Sequence, residues 1–210
     1  MYKKKFYFIV FEGIEGTGKS YQINKLFNNL KKKKINTIKS REPGGSKTAE
    51  KIRNLIFSKI GSSFDKITDF YLMLAARNEH FNKTILPAKK NKTVLISDRF
   101  TDSTYAYQVI GNKIDKKINL INKEYILKNF KPDLTFVLTA DYDSIDLRLN
   151  KRKNKNKFDM LKYNFYNKVQ KTFINLAKKN KDKYYILNSS ANNTNLEKKI
   201  LNIVLKKIKS

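Results

Sequence analysis

The chain has 210 residues, with 46 Lys and Arg against 18 Asp and Glu, and a formal net charge of +28. This length fits one domain with a substantial core. The absence of cysteine excludes disulfides and thiolate metal sites, and no apolar run approaches the roughly 20 residues that span a bilayer. The basic N-terminus runs into a short apolar strand without a small-residue cleavage site, which predicts a cytoplasmic protein without a signal peptide.

The strong positive charge suggests a nucleic-acid binder when it is taken alone. However, the chain is rich in Lys, Asn and Ile, which A/T-rich codons encode, so genome composition can also make the surface basic. The lysines are spread along the chain and form no basic tail. We therefore expect no dedicated nucleic-acid role, although a positive field attracts anionic nucleotides in either case.

The first predicted element is an apolar strand at 8–11 that enters a Gly-rich turn. Gly13, Gly18, Lys19 and Ser20 fit the strand–G-x-x-x-x-G-K-[ST]–helix pattern of the P-loop. Backbone N–H groups of such a loop, and those of the following helix, can surround a phosphate. Lys19 can reach the outer phosphates, and the Ser20 hydroxyl can bind Mg²⁺. The predicted ATP-binding residues here are Gly13, Ile14, Glu15, Gly16, Thr17, Gly18, Lys19 and Ser20.

The rest of the chain alternates between helical periodicity and short apolar runs. We predict further strands at 35–40, 93–97, 133–140 and 184–187. The predicted helices lie at 19–33, around a buried face of Ile52, Leu55 and Ile56, and at 64–87, 144–152, 159–179 and 196–208. This alternation predicts a single α/β domain over residues 1–210. Its expected architecture is a three-layer P-loop NTPase fold, a five-stranded parallel sheet with helices on both faces.

The basic segment at 153–157 has no apolar anchors and follows the helix that carries Arg148 and Arg152. Such a segment is a candidate mobile lid, and we place the lid at about 148–160.

Polar side chains follow several predicted strands, and the carboxyl ends of parallel strands share one ligand-binding edge. Arg41-Glu42, Asp98-Arg99 and Asn188-Ser189 can therefore line one crevice with the P-loop. Asp98 is placed like a Walker B aspartate and can hold Mg²⁺ directly or through water. Arg99 can grip a phosphate with its fork of donors.

A nucleoside triphosphate at the P-loop is compatible with three functions. These are hydrolysis, transfer of its phosphoryl group to a small acceptor, and a nucleotide-dependent switch. The arginines favour transfer, because planar bidentate recognition of phosphate needs Arg, and Lys replaces it poorly. Arginine is rare against lysine here. Its positions at or near strand ends and helix faces are Arg41, Arg53, Arg77, Arg99, Arg148 and Arg152.

In its motifs the chain resembles the bacterial thymidylate kinase family over nearly all its length. The resemblance rests on the P-loop with an internal acid, Glu15, and on Arg41-Glu42-Pro43-Gly44-Gly45, Ala75-Ala76-Arg77, Asp98-Arg99-Phe100 and Ser103-Thr104-Tyr105-Ala106-Tyr107-Gln108. The P-loop is shared by many families, whereas the other motifs in this order are specific. The chain departs from the family pattern at Met73, usually a Phe that stacks on thymine, at Phe100, commonly Tyr, and at Met160, often Arg.

The resemblance implies Mg²⁺-dependent transfer of the γ-phosphate of ATP to dTMP, which gives dTDP and ADP in dTTP synthesis. It implies that Arg41, Arg53 and Arg99 surround the dTMP phosphate and that Arg77 binds the thymine edge. Glu15 approaches the 3′-hydroxyl, and Tyr107 packs under the sugar. The other implied dTMP-binding residues are Glu42, Pro43, Met73, Ser103, Thr104 and Gln108. The implied catalytic residues are Lys19, Arg99, Glu15 and Arg152, while Arg148 closes over ATP with Arg152.

The chemistry agrees with this reading, because a phosphate acceptor is mostly ionised at neutral pH and needs no general base. His80 is the only histidine, and we interpret it as structural. The lid residue that contacts the transferring phosphoryl group is left open among Arg152, Lys153 and Lys155.

Two other functions are weighed against this one. The first is a kinase for another nucleoside monophosphate or a deoxynucleoside, in which Glu15 serves as base for a hydroxyl. The second is a basic ATP-dependent nucleic-acid binder, but most aromatic residues fit helix stripes and strand interiors rather than an exposed stacking surface. The resemblance also implies a homodimer packed through the helices near 64–90 and 102–126.

Overall fold

The computed structural model describes residues 5–153, 156–190 and 194–209. They form a five-stranded sheet in the order β2-β3-β1-β4-β5, in which all neighbouring strands are parallel. The strands are β1 (Tyr7–Glu12), β2 (Thr37–Arg41), β3 (Val94–Asp98), β4 (Leu134–Thr139) and β5 (Tyr184–Asn188). The structure confirms the predicted parallel α/β sheet, and each strand lies within two residues of its predicted position.

Helices connect the strands and cover both faces of the sheet. They are α1 (Lys19–Lys32), α2 (Lys47–Ile56), α3 (Lys66–His80), α4 (Leu86–Lys90), α5 (Thr101–Thr104), α6 (Lys116–Ile121), α7 (Tyr142–Asn150), α8 (Tyr163–Lys179) and α9 (Thr194–Lys209). π-helical turns at Phe81–Ile85, Tyr105–Gly111 and Asn122–Ile126 extend α3, α5 and α6. The helix predicted at 64–87 is thus α3, a π-turn and α4. The π-turn precedes Pro87, which has no N–H for a continuous α-helical ladder.

Alternation along the central strand β1 divides the core into two layers. Ile9 and Phe11 face a cluster that includes residues of α1 and α9. Phe8 and Val10 face the other side, where they pack with Phe81 and other residues near the π-turn. β1 is buried along its whole length, as expected for a strand at the centre of a sheet that is covered on both faces.

Two sequence predictions about helices need correction. Leu55 was placed on the buried face of α2, but it is 41% exposed, whereas Ile56 is fully buried. Successive residues of an α-helix point about 100° apart, so only one of these two neighbours can face α3. The helix predicted from Asp159 begins at Tyr163, because the Asp159 carboxylate folds back on Asn156 and Arg152 in the preceding loop.

The strand register brings the polar strand ends together. Asp98 at the end of β3 lies beside Phe11 of β1 and Arg41 of β2. Within the described ranges, no helix is long and apolar enough to cross a membrane.

Candidate active site

The turn after β1 requires glycine and forms the concave backbone loop at 13–18, the phosphate cradle. Gly13, Gly16 and Gly18 have φ angles of 137°, 74° and 78°, a region that side-chain-bearing residues rarely adopt. A Cβ on Gly13 would also lie 2.3 Å from the Leu138 carbonyl oxygen. The glycines therefore allow the loop to curve tightly into the N-terminus of α1.

Lys19 lies along the inside of this loop. Its Nζ donates hydrogen bonds to the carbonyl oxygens of Gly13 and Ile14, both at 2.9 Å. Burial, and then the positive charge of Arg99, lower the pKa of Lys19 to about 8. A phosphate anion at the cradle would stabilise the charged ammonium, so this lysine is poised to bind one.

A cavity of about 380 Å³ lies beyond the P-loop and contains most of the predicted site residues. Gly13, Ile14 and Thr17 do not line it, and they shape the loop from behind. The expectation that Asn188 and Ser189 line the crevice is wrong, since neither borders the cavity and the Ser189 hydroxyl donates to the Thr17 carbonyl at 2.8 Å. The predicted residues that line the cavity are Glu15, Gly16, Gly18, Lys19, Ser20, Arg41, Glu42, Pro43, Arg53, Met73, Arg77, Asp98, Arg99, Ser103, Thr104, Tyr107, Gln108, Arg148 and Arg152. Six further lining residues were not predicted, namely Tyr21, Phe57, Phe100, Leu149, Asn156 and Phe158.

Ser20 and Asp98 meet at the P-loop end of the cavity and fit a magnesium ion. The Ser20 hydroxyl lies 3.3 Å from Asp98 Oδ2. The buried Asp98 Oδ1 has no hydrogen-bond partner in the part of the chain that the structure describes. In that part, no group of three or more His, Cys, Asp or Glu converges on one point. Two oxygen donors with room for water and phosphate oxygens are typical of Mg²⁺ sites in phosphoryl-transfer enzymes.

Positively charged side chains crowd the opposite part of the cavity. Arg41 makes a bidentate contact with Glu50 at 3.1 and 2.7 Å. Arg53 donates to the Pro43 carbonyl at 2.8 Å. Burial, and then the like charge of Arg41, lower the pKa of Arg53. A ligand anion at this point would relieve that repulsion, so this part of the cavity is suited to a phosphate.

Arg77 is fixed by a buried network under this cluster. Its Nε donates to Glu42 at 2.7 Å and its Nη1 donates to Thr104 at 2.7 Å. His80 lies 2.8 Å from the other Glu42 oxygen and 2.7 Å from Ser40 Oγ. Burial opposes the charge of Glu42, but Arg77 and His80 hold its pKa below the ordinary value. His80 is fully buried and does not line the cavity, which fits its predicted structural role.

Arg99 links the P-loop to Ser103 and Tyr107 on the cavity wall. It donates to Glu15 at 2.6 Å and to Ser103 at 3.0 Å, and its guanidinium carbon lies 5.0 Å from the Tyr107 ring centroid. The Tyr107 hydroxyl donates to Glu15 at 2.5 Å, and burial raises the pKa of Tyr107 well above its ordinary value. Arg99 has a φ of 72°, a conformation that costs a non-glycine residue about 1–2 kcal/mol. Such strain is typical of functional positions.

Glu12 is a fully buried residue behind the cavity, and the sequence analysis missed its supporting role. Its carboxylate accepts from the Phe100 N–H at 2.8 Å and from the Ser103 hydroxyl at 2.6 Å. Burial, and then the nearby Asp102 carboxylate, raise the pKa of Glu12 to about 8. Glu12 thereby ties β1 to the turn that positions Arg99. An acid at the end of an otherwise apolar strand was the available signal.

The described residues of the lid segment, 148–160, contact both the rest of the protein and one another. Arg148 donates to the Gly16 carbonyl at 3.0 Å and to the Ser189 carbonyl at 2.7 Å. Arg152 forms an ion pair with the buried Asp159. Lys155, one of the candidates for contact with the transferring phosphoryl group, lies outside the described residues, as does Asn154.

A P-loop that shares one cavity with a cluster of arginines, at the carboxyl-end edge of a parallel sheet, defines a P-loop phosphotransferase for small phosphorylated acceptors. The model of the family described as thymidylate kinase matches residues 11–200. The thymidylate kinase of Vesicomyosocius okutanii is 36% identical over 87% of this chain and 89% of its own length. That of Wolbachia pipientis wMel is 41% identical over 81% and 84%.

The crystal structure of thymidylate kinase from Ehrlichia chaffeensis superposes with a TM-score of 0.76 at 28% identity, covering 96% of this chain and 99% of that one. The chain therefore belongs to the thymidylate kinase family, and it is an enzyme of the dTMP kinase type. The family resemblance seen in the sequence motifs is confirmed.

Proposed function

We propose that this cavity transfers the γ-phosphoryl group of ATP to dTMP, with ATP at the P-loop end and dTMP at the arginine end. The observation that carries the proposal is that Arg41, Arg53 and Arg99 line the same cavity as Lys19. Arg99 stands beside Lys19, since both side chains donate to the Gly13 carbonyl. Two anions repel each other, and these cations allow both to approach within reacting distance. An oxygen of the dTMP phosphate attacks the γ-phosphorus, the bond to the β–γ bridging oxygen breaks, and ADP leaves.

On the donor side, the P-loop N–H groups and Lys19 bind the ATP phosphates. Ser20 and Asp98 are the residues that would hold Mg²⁺, which neutralises charge on the β- and γ-phosphates when it is bound. Arg148 reaches the P-loop from the lid segment and is placed to cover the nucleotide. Arg152, now paired with Asp159, lies on the cavity wall and is the lid cation proposed to approach the transferring group.

On the acceptor side, Arg41, Arg53 and Arg99 are proposed to bind the dTMP phosphate. Arg77 keeps two of its five N–H donors free of the contacts with Glu42, Thr104 and the Phe100 carbonyl. Those two donors are proposed to bind the thymine edge, because the three contacts with Glu42, Thr104 and the Phe100 carbonyl fix the plane of the guanidinium. The other proposed contacts to dTMP come from Glu15, Glu42, Pro43, Met73, Ser103, Thr104, Tyr107 and Gln108.

The reaction needs no general base. The second pKa of a phosphate monoester is about 6, so the attacking oxygen is already ionised at neutral pH. Catalysis then consists of alignment and charge neutralisation, which Lys19, Arg99 and the other cations supply. Within residues 5–153, 156–190 and 194–209, the cavity is lined by no histidine.

The proposed assembly is a homodimer, and the proposed compartment is the cytoplasm. Large apolar side chains are exposed along α3, α4, α6 and the π-turn after α6, which fits an interface near residues 64–90 and 102–126. They are Tyr71, Leu86, Leu120, Ile121 and Tyr125. Sedimentation equilibrium should give twice the chain mass, and a monomer at micromolar concentration would refute this assembly.

Product analysis tests the proposed reaction. The enzyme is incubated with ATP, dTMP and Mg²⁺, and the nucleotides are separated by anion-exchange chromatography. Equal amounts of ADP and dTDP are expected, with both lost when EDTA is added. Formation of ADP without dTDP would show a hydrolase or another kinase instead.

A further inference from the structure

The apolar wall of the acceptor pocket contains aromatic rings that the motif analysis did not find. Met73 on α3 was expected to face the base, but a thioether side chain is flexible and packs loosely on a flat ring. Phe57, directly after α2, and Phe158, in the loop before α8, also line the cavity. Both are only partly buried, so part of each ring is available to a ligand.

Phe158 continues a row of rings across the pocket. Its ring centroid lies 5.6 Å from that of Tyr107 with an interplanar angle of 90°. On its other side the Phe57 centroid lies 5.8 Å away at 67°. The Arg53 guanidinium stacks on Phe57 at 4.6 Å. Tyr107 and Arg53 are both proposed contacts to dTMP, so this row of rings borders the proposed acceptor side of the cavity.

The position of Phe158 is fixed by its flanking residues. Lys157 Nζ forms an ion pair with Asp69 at 2.6 Å and donates to the Gly61 carbonyl at 3.3 Å. Asp69 stands four residues before Met73, on the same face of α3. The Phe158 carbonyl accepts from the Tyr166 hydroxyl at 2.5 Å. A ring held in place before binding loses little entropy when a ligand packs on it.

The chemistry of the acceptor matches such a wall. A pyrimidine is flat and has apolar faces, so it gains contact area and favourable edge or face geometry against fixed aromatic rings. Arg77 provides donors for the polar edge of the same base. A rigid wall on one side and a fixed guanidinium at the edge together define one base orientation.

We propose that Phe158, supported by Phe57 and clamped through Lys157–Asp69, forms the aromatic wall against the acceptor base and determines acceptor affinity and selectivity. The inference rests on the proposed function and deepens it by assigning a base-recognition residue to the lid segment. The resemblance assigns no role to Phe158, and it names an aromatic residue only at the position occupied here by Met73.

Steady-state kinetics of ring-removing and ring-keeping variants test the inference. We expect Phe158→Leu and Phe158→Ala to raise KM for dTMP about tenfold, because each removes ring contacts from the bound base. KM for ATP should stay within about twofold of the wild type, since the P-loop end is unchanged. Phe158→Tyr keeps an aromatic ring, so its KM for dTMP should stay close to that of the wild type. Lys157→Met should raise KM for dTMP about threefold with little change in kcat, because it loosens the clamp and leaves the ring.

Met160→Ala is the matched control, because Met160 lies in the same segment, is 70% exposed and does not line the cavity. It should leave both KM values unchanged. The inference is overturned if Phe158→Leu folds with an unaltered melting temperature and keeps the wild-type KM for dTMP. It is also overturned if KM for ATP rises as much as KM for dTMP. Failure of the proposed function would look different, since the wild type itself would then make no dTDP.

Discussion

The two ends of the cavity are built by different means. The phosphate cradle at the donor end is one continuous segment, in which β1, three glycines with positive φ and the start of α1 present backbone N–H groups and Lys19. The acceptor end collects side chains from the ends of β2 and β3 and from α2, α3 and α5. A backbone cradle needs only the right turn, whereas a side-chain pocket needs each guanidinium to be held in place.

The acceptor end meets that need with carboxylates that hold the arginines. Arg77 is paired with Glu42 in an almost fully buried contact, while the Arg41–Glu50 pair is half exposed. Buried pairs fix geometry strongly, and breaking one leaves an uncompensated charge. Exposed pairs are screened by water and contribute little to stability. The acceptor pocket therefore contains a rigid base-recognition part and a more adaptable phosphate-recognition part.

Catalytic activity should be more sensitive to a single substitution at the donor end than to one at the acceptor end. Lys19→Ala removes the cation that approaches the outer phosphates, and we expect kcat/KM for ATP to fall about 1,000-fold. Lys25→Ala is the control, because Lys25 lies on the same helix, has a side chain 46% exposed and pairs with Glu197 at the surface. Initial-rate measurements should show the control within about twofold of the wild type. Equal losses in both variants would mean that general charge, and not the cradle, binds ATP.

At the acceptor end, breaking the buried and the exposed arginine–carboxylate pair should lower the free energy of unfolding by different amounts. Arg77→Met leaves the buried Glu42 with His80 but without its guanidinium partner, so we expect about 3–5 kcal/mol less free energy of unfolding in urea. We also expect about a 100-fold loss of kcat/KM for dTMP. Arg41→Met should weaken dTMP binding as well, but should cost no more than about 1 kcal/mol of stability. Similar unfolding free energies for the two variants would remove the distinction between a rigid and an adaptable part.

The pH dependence should also differ between the two substrates. Lys19 is charged below its lowered pKa of about 8 and neutral above it. Because kcat/KM reports groups of the free enzyme and free substrate, the value for ATP should fall above pH 8, by about tenfold per pH unit at the limit. The value for dTMP should also fall below about pH 6, where its phosphate takes up a proton. A profile for ATP that stays flat to pH 9.5 would contradict the role of the lysine ammonium.

The smallest effect is expected at the sugar. Tyr107→Phe keeps the ring and removes the hydroxyl that donates to Glu15, so KM for dTMP should rise about three- to tenfold. Tyr105→Phe serves as the control, because Tyr105 lies two residues earlier in the same helical segment and does not line the cavity. If KM for dTMP rose more in Tyr105→Phe than in Tyr107→Phe, this helical segment would affect binding only through its fold.

The sequence predicted the backbone-built parts well, because the glycine spacing and the strand alternation are local patterns. It also singled out the arginines, through their rarity and their positions near strand ends and helix faces, whereas the roles assigned to each came from the family resemblance. Their convergence on one cavity depends on strand register. Phe57 and Phe158 were missed as lining residues because nothing local distinguishes them from core residues, whereas the acid at Glu12 was a local signal that was overlooked. One helix was predicted over 64–87, because the apolar pattern does not reveal the π-turn at Phe81–Ile85. The helices α5 and α6 and their π-turns were not predicted from periodicity. The partners of Arg41 and Arg152 depend on tertiary packing, which spacing does not encode.

The most direct test of the whole account is an assay of ADP release with ATP, Mg²⁺ and a panel of acceptors, namely dTMP, dUMP, dCMP, dGMP, UMP and thymidine. Strong preference for dTMP is expected, with no turnover of thymidine, because thymidine lacks the phosphate that Arg41, Arg53 and Arg99 are proposed to bind. Thymidine turnover equal to that of dTMP, or ATP hydrolysis stimulated by nucleic acid without transfer to any acceptor, would contradict the account.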